Sequence, residues 1–526
     1  MEKRKKIEIY DTTLRDGAQG ESIFFTLHDQ MKIVEKLDEF GFNFIEGGWP
    51  GSNPKAEEFF KEMAKKRLKN SKLVAFGSTR RRTFSANKDP FLKALVEAGT
   101  DVVIIFGKSW DLHVRDVLRI SLEENLDLIG DSISYLKSKG KTVFFDAEHF
   151  FDGYKENPEY AVKTLLVAES SGAERIVLCD TNGGALPFEV EEIVKKICKI
   201  LKTPVGIHAH NDSGTAVANT IAAVRAGAVH VHGTINGFGE RCGNADLTAI
   251  IPILQIKMGF ECLDEEKLHH LTSLSRYVYE IANIVPPGNQ PFVGYSAFAH
   301  KGGVHVDAVG KNPRTYEHIP PEKVGNQRRV LVSELSGKST ILQKLRKYKL
   351  EKQPELIKRI LETVGEMEKK GYQFESAEAS FELMVRKLLG IYKKPFHVEG
   401  FRVIVEERNA RVVAEATVKL KVGKTVEYTV AEGNGPVNAL DNALRKALIP
   451  FYPFLSSLRL IDYKVRILHP EKATAAVTRV LIESMDEKES WGTIGLSENI
   501  IEASWNALVD GVEYKILKEI ENLNQT

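Results

Sequence analysis

The residues best suited to chemistry stand in VGIHAHNDSG, where His208 and His210 lie two apart at the end of a β-branched run. Side chains at i and i+2 of a strand project from one face, so the two imidazoles converge. Such a pair is either two hydrogen-bonded core histidines or part of a divalent-cation site, and a carboxylate nearby in space favours the cation. DTTLRDGAQ at 11–19 offers one in Asp16. Beside it, Arg15 carries a guanidinium that stays charged at any working pH. It suits a bridge to a carboxylate such as Glu46, the stabilisation of an oxyanion, or both in one site. In NGFGERCGN at 236–244, Asn244 adds an amide oxygen. The same loop, with Gly237, Gly239, Glu240 and Arg241, is similar to a phosphate-cradling turn, a weak signal when it stands alone.

These residues need a scaffold that brings distant segments together. Eight β-branched or aromatic runs supply one: 7–11, 42–48, 72–78, 101–107, 141–149, 175–181, 204–211 and 229–237. Between them lie segments such as TLHDQMKIVEKLDEFG and TAVANTIAAVRAG, whose apolar residues recur three and four apart before a terminating glycine. Strands joined by helices pair in parallel. Eight such units over about 260 residues predict an α/β fold of the (β/α)8 TIM barrel type, with a doubly wound open sheet as the alternative. Active sites of such barrels lie at the C-terminal strand ends. There the sequence places Asp11 to Asp16, Glu46, Glu148, Asp180-Thr181-Asn182, and the two histidines. Strands 1, 7 and 8 become neighbours when the barrel closes, which brings Asp16 to His208 and His210.

The chain is 526 residues long, enough for two or three domains. Its 73 Lys and Arg nearly balance 72 Asp and Glu, which argues against a nucleic-acid or membrane footprint. MEKRKK at the start is basic but IEIYDTT follows it, so no secretory signal is read, and no apolar run is long enough to span a bilayer. Cys179, Cys198, Cys242 and Cys262 form no CxxC pair, and a reducing cytoplasm is the expected home.

Residues 1–262 are thus expected to form the catalytic barrel. Residues 263–390 read as a helical linker that covers a barrel mouth, with KLHHLTSLSRYVYEIANI and PELIKRILETVGEMEKKG as helices. From 391 to 526 long alternating strands, 411–422 and 459–468 prominent, lead into helices at 435–448 and 497–517. This pattern predicts a separate α+β domain built from a duplicated strand-strand-strand-helix unit.

Taken together, DTTLRDGAQ, HAHND at 208–212 and NGFGERCGNADL at 236–247 resemble the DRE-type metal-dependent TIM barrels, among them the 2-isopropylmalate, homocitrate and citramalate synthases. FDAEHFFDGY at 145–154, LCDTNGG at 178–184, AHKGGVHVDAV at 299–309 and TYEHIPPEKVGNQRRVLVSELSGKS at 315–339 look most like the bacterial citramalate branch. The resemblance implies that Asp16, His208, His210 and Asn244 bind a divalent metal ion (Mn, Mg or Zn). It also implies that Arg15 polarises the substrate carbonyl, that Gln19 and Thr181 bind the 2-oxo acid, and that Glu148, His305 and Tyr316 are catalytic. Gly237, Gly239, Glu240 and Arg241 are then the candidates for holding acetyl-CoA. The C-terminal part resembles the regulatory domain of 2-isopropylmalate synthases, which implies an amino-acid effector, isoleucine in this branch, and a homodimer. One departure is Ala18, where many relatives have Glu, which weakens analogy with the leucine-pathway enzymes.

The expected reaction condenses acetyl-CoA with pyruvate, a small-molecule 2-oxo acid, and hydrolyses the thioester to give (R)-citramalate and CoA, in threonine-independent isoleucine biosynthesis. His305 is the expected base, poised near neutral pH and oriented by Glu148. 2-Isopropylmalate synthase, using 2-oxoisovalerate, and homocitrate synthase are the nearest rivals, because a pocket resolves a methylene by only about 1–3 kcal/mol. A carbon–carbon lyase on the same barrel is disfavoured by the long C-terminal region.

Overall fold

A computed structural model describes residues 4–331, 348, 353–408, 411–468, 476–487 and 489–523. Positions 332–339 of the last quoted motif lie outside the described residues. The chain divides into two compact units: residues 1–298 with 319–328, and residues 299–318 with 329–526.

The first unit is a closed barrel of eight parallel strands in sequence order. They are β1 (Glu8–Asp11), β2 (Phe44–Gly48), β3 (Lys72–Ser78), β4 (Val102–Lys108), β5 (Thr142–Glu148), β6 (Arg175–Asp180), β7 (Val205–Ala209) and β8 (His230–Gly233). Closure pairs Glu8 with His230 and Asp11 with Gly233. Local chemistry sets the helix limits. Leu27–Phe40 begins at Thr26, whose hydroxyl accepts from the Asp29 N–H while Asp29 accepts from the Thr26 N–H, and it ends at a left-handed Gly41.

The main core lies between strands and helices, with Ile9, Ile45, Val103, Ile105, Val143, Phe145 and Ile207 fully buried. A second cluster fills the barrel itself: Tyr10, Phe44, Val74, Phe76, Val102, Ile104 and Phe144. The interior is not wholly apolar. His230 and His232 of β8 are both fully buried there. Within the same unit the helix Leu271–Ile281 lies against the loop after β8, Asn236 donating to the Ser275 carbonyl at 3.0 Å and accepting from its hydroxyl at 2.5 Å.

The second unit opens with a parallel pair of two-residue strands, β9 (Ala299–His300) and β10 (Arg329–Val330), and the helices Pro354–Lys369 and Glu378–Leu388. Two antiparallel three-stranded sheets follow: β11 (His397–Arg408), β12 (Arg411–Val422) and β13 (Thr425–Gly433), then β14 (Arg459–Ile467), β15 (Thr478–Met485) and β16 (Ser490–Ser497). Each sheet leads into a helix, Pro436–Leu448 and Ile500–Leu523, which realises the duplicated unit read from the sequence. Alternation along β12 buries Ala414, Ala416, Val418 and Leu420 with Leu440 and Leu444. The last helix runs past the expected end at 517 because ILKEIENL continues with good helix formers.

Candidate active site at the barrel mouth

His208 and His210 project from the end of β7, 5% exposed each, with their Nε2 atoms 3.2 Å apart. Asp16 directly precedes the short turn Gly17–Gln19 after β1, and its Oδ2 lies 3.2 Å from His208 Nε2 and 3.8 Å from His210 Nε2. The DTT corner holds it there. Asp11 accepts from the Thr13 N–H at 3.0 Å and the Thr13 hydroxyl at 2.7 Å, and Thr13 Oγ1 accepts from the Ile235 N–H of the β8 loop at 2.9 Å.

Asn244 joins them through a bridge to His210, its N–H donating to the Gly237 carbonyl at 3.1 Å. Its Nδ2 donates to the Phe238 carbonyl at 3.3 Å, whereas its buried Oδ1 meets no hydrogen-bond donor among the described residues. Gly243, at φ 89°, allows this fold of the loop, since a Cβ there would lie 2.1 Å from the Gly237 oxygen. Two imidazoles, a carboxylate and an orphaned amide oxygen form a donor set that fits a divalent cation. The three charged or imidazole donors lie within 4.8 Å of one another.

The electrostatics of Asp16 and His210 agree with that use, while against burial Asp16 holds the proton affinity of His208 above its ordinary value. Burial alone would raise the Asp16 carboxyl, but Arg15 and His208 hold it well below the usual carboxylate range. Burial and the neighbouring His208 push His210 down to about 4, which keeps a lone pair available. Arg15 Nη1 lies 3.3 Å from Asp16, its Nε pairs with the fully buried Glu46, and its guanidinium stacks 3.9 Å over Phe76. Burial opposes its charge, yet Glu46 and Asp16 raise its affinity for the proton far above the ordinary value. Both sequence readings of Arg15 are thus compatible: it bridges to Glu46 and still faces the donor set.

The other expected residues divide between the two units. Glu148 ends β5 and pairs with Lys108 at the end of β4. Thr181, half-buried after β6, accepts from the His149 N–H at 2.9 Å. Arg241 donates to both Asp212 oxygens, at 2.7 and 3.0 Å, and to the Thr181 carbonyl at 2.9 Å, which ties the β8 loop to those after β6 and β7. Gln19 and Glu240 are exposed, and Gly237 and Gly239 shape the loop around Asn244. His305, on the helix Gly303–Lys311, and Tyr316 belong to the second unit, where their exposed rings stack at 4.1 Å.

Sequence reasoning missed Lys108, His149 and Asp146. Asp146, two residues before Glu148 and so on the same strand face, is 4% exposed, has an Oδ1 that meets no partner among the described residues, and is pushed up to about 7 chiefly by burial. The i, i+2 spacing from Glu148 was the available signal.

Residues 6–278 match the HMGL-like family model, 292–372 the homocitrate synthase post-HMGL domain-like model, and 375–516 the LeuA allosteric (dimerisation) domain model. The chain is 57% identical over 519 residues to an (R)-citramalate synthase of Geobacter sulfurreducens, covering 98% of each chain. It is 54% identical over 523 residues to that of Aquifex aeolicus, covering 98% of this chain and 99% of the relative. The (R)-citramalate synthase of Synechocystis is 52% identical over 527 residues, with 97% and 96% covered.

Proposed function

The chain belongs to the (R)-citramalate synthase family, and from that premise we propose how its residues divide the work of joining the acetyl group of acetyl-CoA to pyruvate. The enzyme forms (R)-citramalate and CoA. The observation that carries the reading is the convergence of Asp16, His208 and His210, with the Asn244 amide oxygen beside them, in a chain so similar to curated (R)-citramalate synthases.

The HMGL-like family is metal-dependent, and Asp16, His208, His210 and Asn244 would hold the ion in this chain. When bound there, a divalent cation supplies Lewis-acid polarisation of the 2-oxo acid's keto group. Its two imidazole donors favour manganese or zinc over magnesium. Thr181 donates to the substrate carboxylate, with Gln19 beside it. His305 removes a proton from the acetyl methyl, its motif GGVH and its exposed stack on Tyr316 supporting that role, and Glu148 takes part in the proton transfer. The carbanion attacks the keto carbon, Arg15 stabilises the oxyanion that develops there, and water then cleaves the thioester. Gly237, Gly239, Glu240 and Arg241 contact acetyl-CoA.

We assign residues 1–262 to catalysis, 263–390 to a linking region and 391–526 to regulation by isoleucine. The family model over 375–516 is a dimerisation domain, which supports a homodimer. No helix among the described residues is long and apolar enough to cross a membrane, and we place the enzyme in the cytoplasm. The test is CoA thiol release by the metal-loaded protein with pyruvate, 2-oxobutyrate, 2-oxoisovalerate and 2-oxoglutarate, each with and without isoleucine or leucine. Preference for pyruvate with inhibition by isoleucine is expected. Preference for 2-oxoisovalerate with inhibition by leucine would overturn the substrate assignment in favour of 2-isopropylmalate synthesis.

A further inference from the structure

His149 follows Glu148 directly and adopts a left-handed backbone, φ 55° and ψ 33°. A side chain disfavours that conformation, and it persists only where neighbours hold it. Segments after three strands, β4, β5 and β6, do so here. The His149 N–H donates to Thr181 Oγ1 at 2.9 Å in the loop after β6. Its Nδ1 lies 3.3 Å from Asp152, which also accepts from Asn182 Nδ2 at 3.0 Å. Its ring packs 4.2 Å from His113 and 5.6 Å from Trp110, in the loop after β4, and the residue is 8% exposed.

The bond to Thr181 has a directional consequence. A hydroxyl carries one proton and accepts through its lone pairs. An N–H aimed at Thr181 Oγ1 occupies an accepting lobe, and among the described residues the hydroxyl proton meets no acceptor. Arg241 fixes the same residue from behind by donating to its carbonyl at 2.9 Å. We propose that His149 is a positioning residue whose main-chain N–H commits the Thr181 hydroxyl to donate to the carboxylate of the 2-oxo acid. This rests on the assignment of Thr181 to that carboxylate.

The proposal ties pyruvate recognition to one backbone angle, so variants at position 149 should sort by their tolerance of positive φ and not by their chemistry. His149→Val forces a β-branched residue into the left-handed region, whereas Asn and Gly accept it. In the metal-loaded full-length enzyme, His149→Val should raise KM for pyruvate about tenfold or more, the cost of a lost bond to a charged group, with KM for acetyl-CoA within about twofold. His149→Asn and His149→Gly should both stay near the starting value. Thr181→Val should match His149→Val, and the double variant should be no worse than either. A Thr181→Val enzyme with unchanged KM for pyruvate overturns the carboxylate assignment and this proposal with it. A raised KM in Thr181→Val beside an unchanged one in His149→Val overturns the positioning role alone, as does multiplication of the two effects in the double variant. If His149→Val does not fold, His149→Ala against His149→Gly carries the same comparison: a higher pyruvate KM in Ala supports the proposal and equal values overturn it.

Discussion

His230 Nε2 lies 3.0 Å from His232 Nε2 inside the barrel, and His230 Nδ1 lies 3.0 Å from Glu8, which Arg175 grips at 2.8 and 2.9 Å. A carboxylate only accepts, so Nδ1 of His230 donates to it, and the neutral Nε2 accepts from His232. Burial lowers the proton affinity of both imidazoles. Burial works against the Glu8 charge as well, but Arg175 and His230 bring its carboxyl down to about 2. A depressed carboxyl contributes stability that is present above its unfolded value near 4.5 and is lost as pH falls through about 2. Glu8→Gln should therefore cost on the order of 2 kcal/mol at neutral pH, a figure reduced for its partial exposure. Thermal midpoints of the two proteins from pH 7 downward provide the check: their separation should narrow below about 4.5. A separation that stays constant with pH would show that the charge plays no part.

Asp16→Asn and Asn244→Ala test the donor set without reference to turnover. The first removes the negative charge that faces both imidazoles, and the second removes an oxygen that no other described group uses. Titration of manganese into the metal-free protein should show a loss of at least about 100-fold for Asp16→Asn and about 10-fold for Asn244→Ala. Equal affinity in all three proteins would remove these residues from the site.

Arg15→Lys keeps a positive charge but loses the planar fork that reaches Asp16 and Glu46 together, and the stack on Phe76. Removing an oriented donor from a developing oxyanion costs about 100- to 1,000-fold in kcat. We expect a loss of that order with manganese affinity little changed. A wild-type kcat in this variant would assign Arg15 to structure alone.

How legible this site was depends on what each residue's role rests on. The ligand pair was legible because spacing on a strand determines facing, and β3 was legible because KLVAFGS is a bounded apolar run that became Lys72–Ser78 without change. The same spacing in HVH at 230–232 shows the limit. Those histidines are the hydrogen-bonded core pair that was the alternative for HAH, and the two pairs differ in depth, His230 lying level with Gly206, two residues before His208. Depth comes from register between strands far apart in sequence, here Glu8 with His230, and no local pattern encodes it. His149 was hidden for another reason: its role lies in a backbone angle, and histidine carries no sequence mark of positive φ as glycine does.

Gly243→Ala asks whether the loop after β8 exists to hold Asn244 in place. Gly243 sits at φ 89°, and an added Cβ would lie 2.1 Å from the Gly237 oxygen, a backbone atom of the same loop. Either Gly237 or the 243–244 peptide must move, and Asn244 is anchored to Gly237 by its own N–H at 3.1 Å. The barrel core lies below this loop, so the thermal midpoint should fall by only a few degrees, as expected for a loss of about 1–2 kcal/mol in a domain of this size. Manganese affinity should fall by about the same factor as in Asn244→Ala, and the two substitutions together should cost little more than one, because both act through a single oxygen. If Gly243→Ala binds manganese like the parent while Asn244→Ala does not, the loop tolerates the shift and the glycine serves another contact.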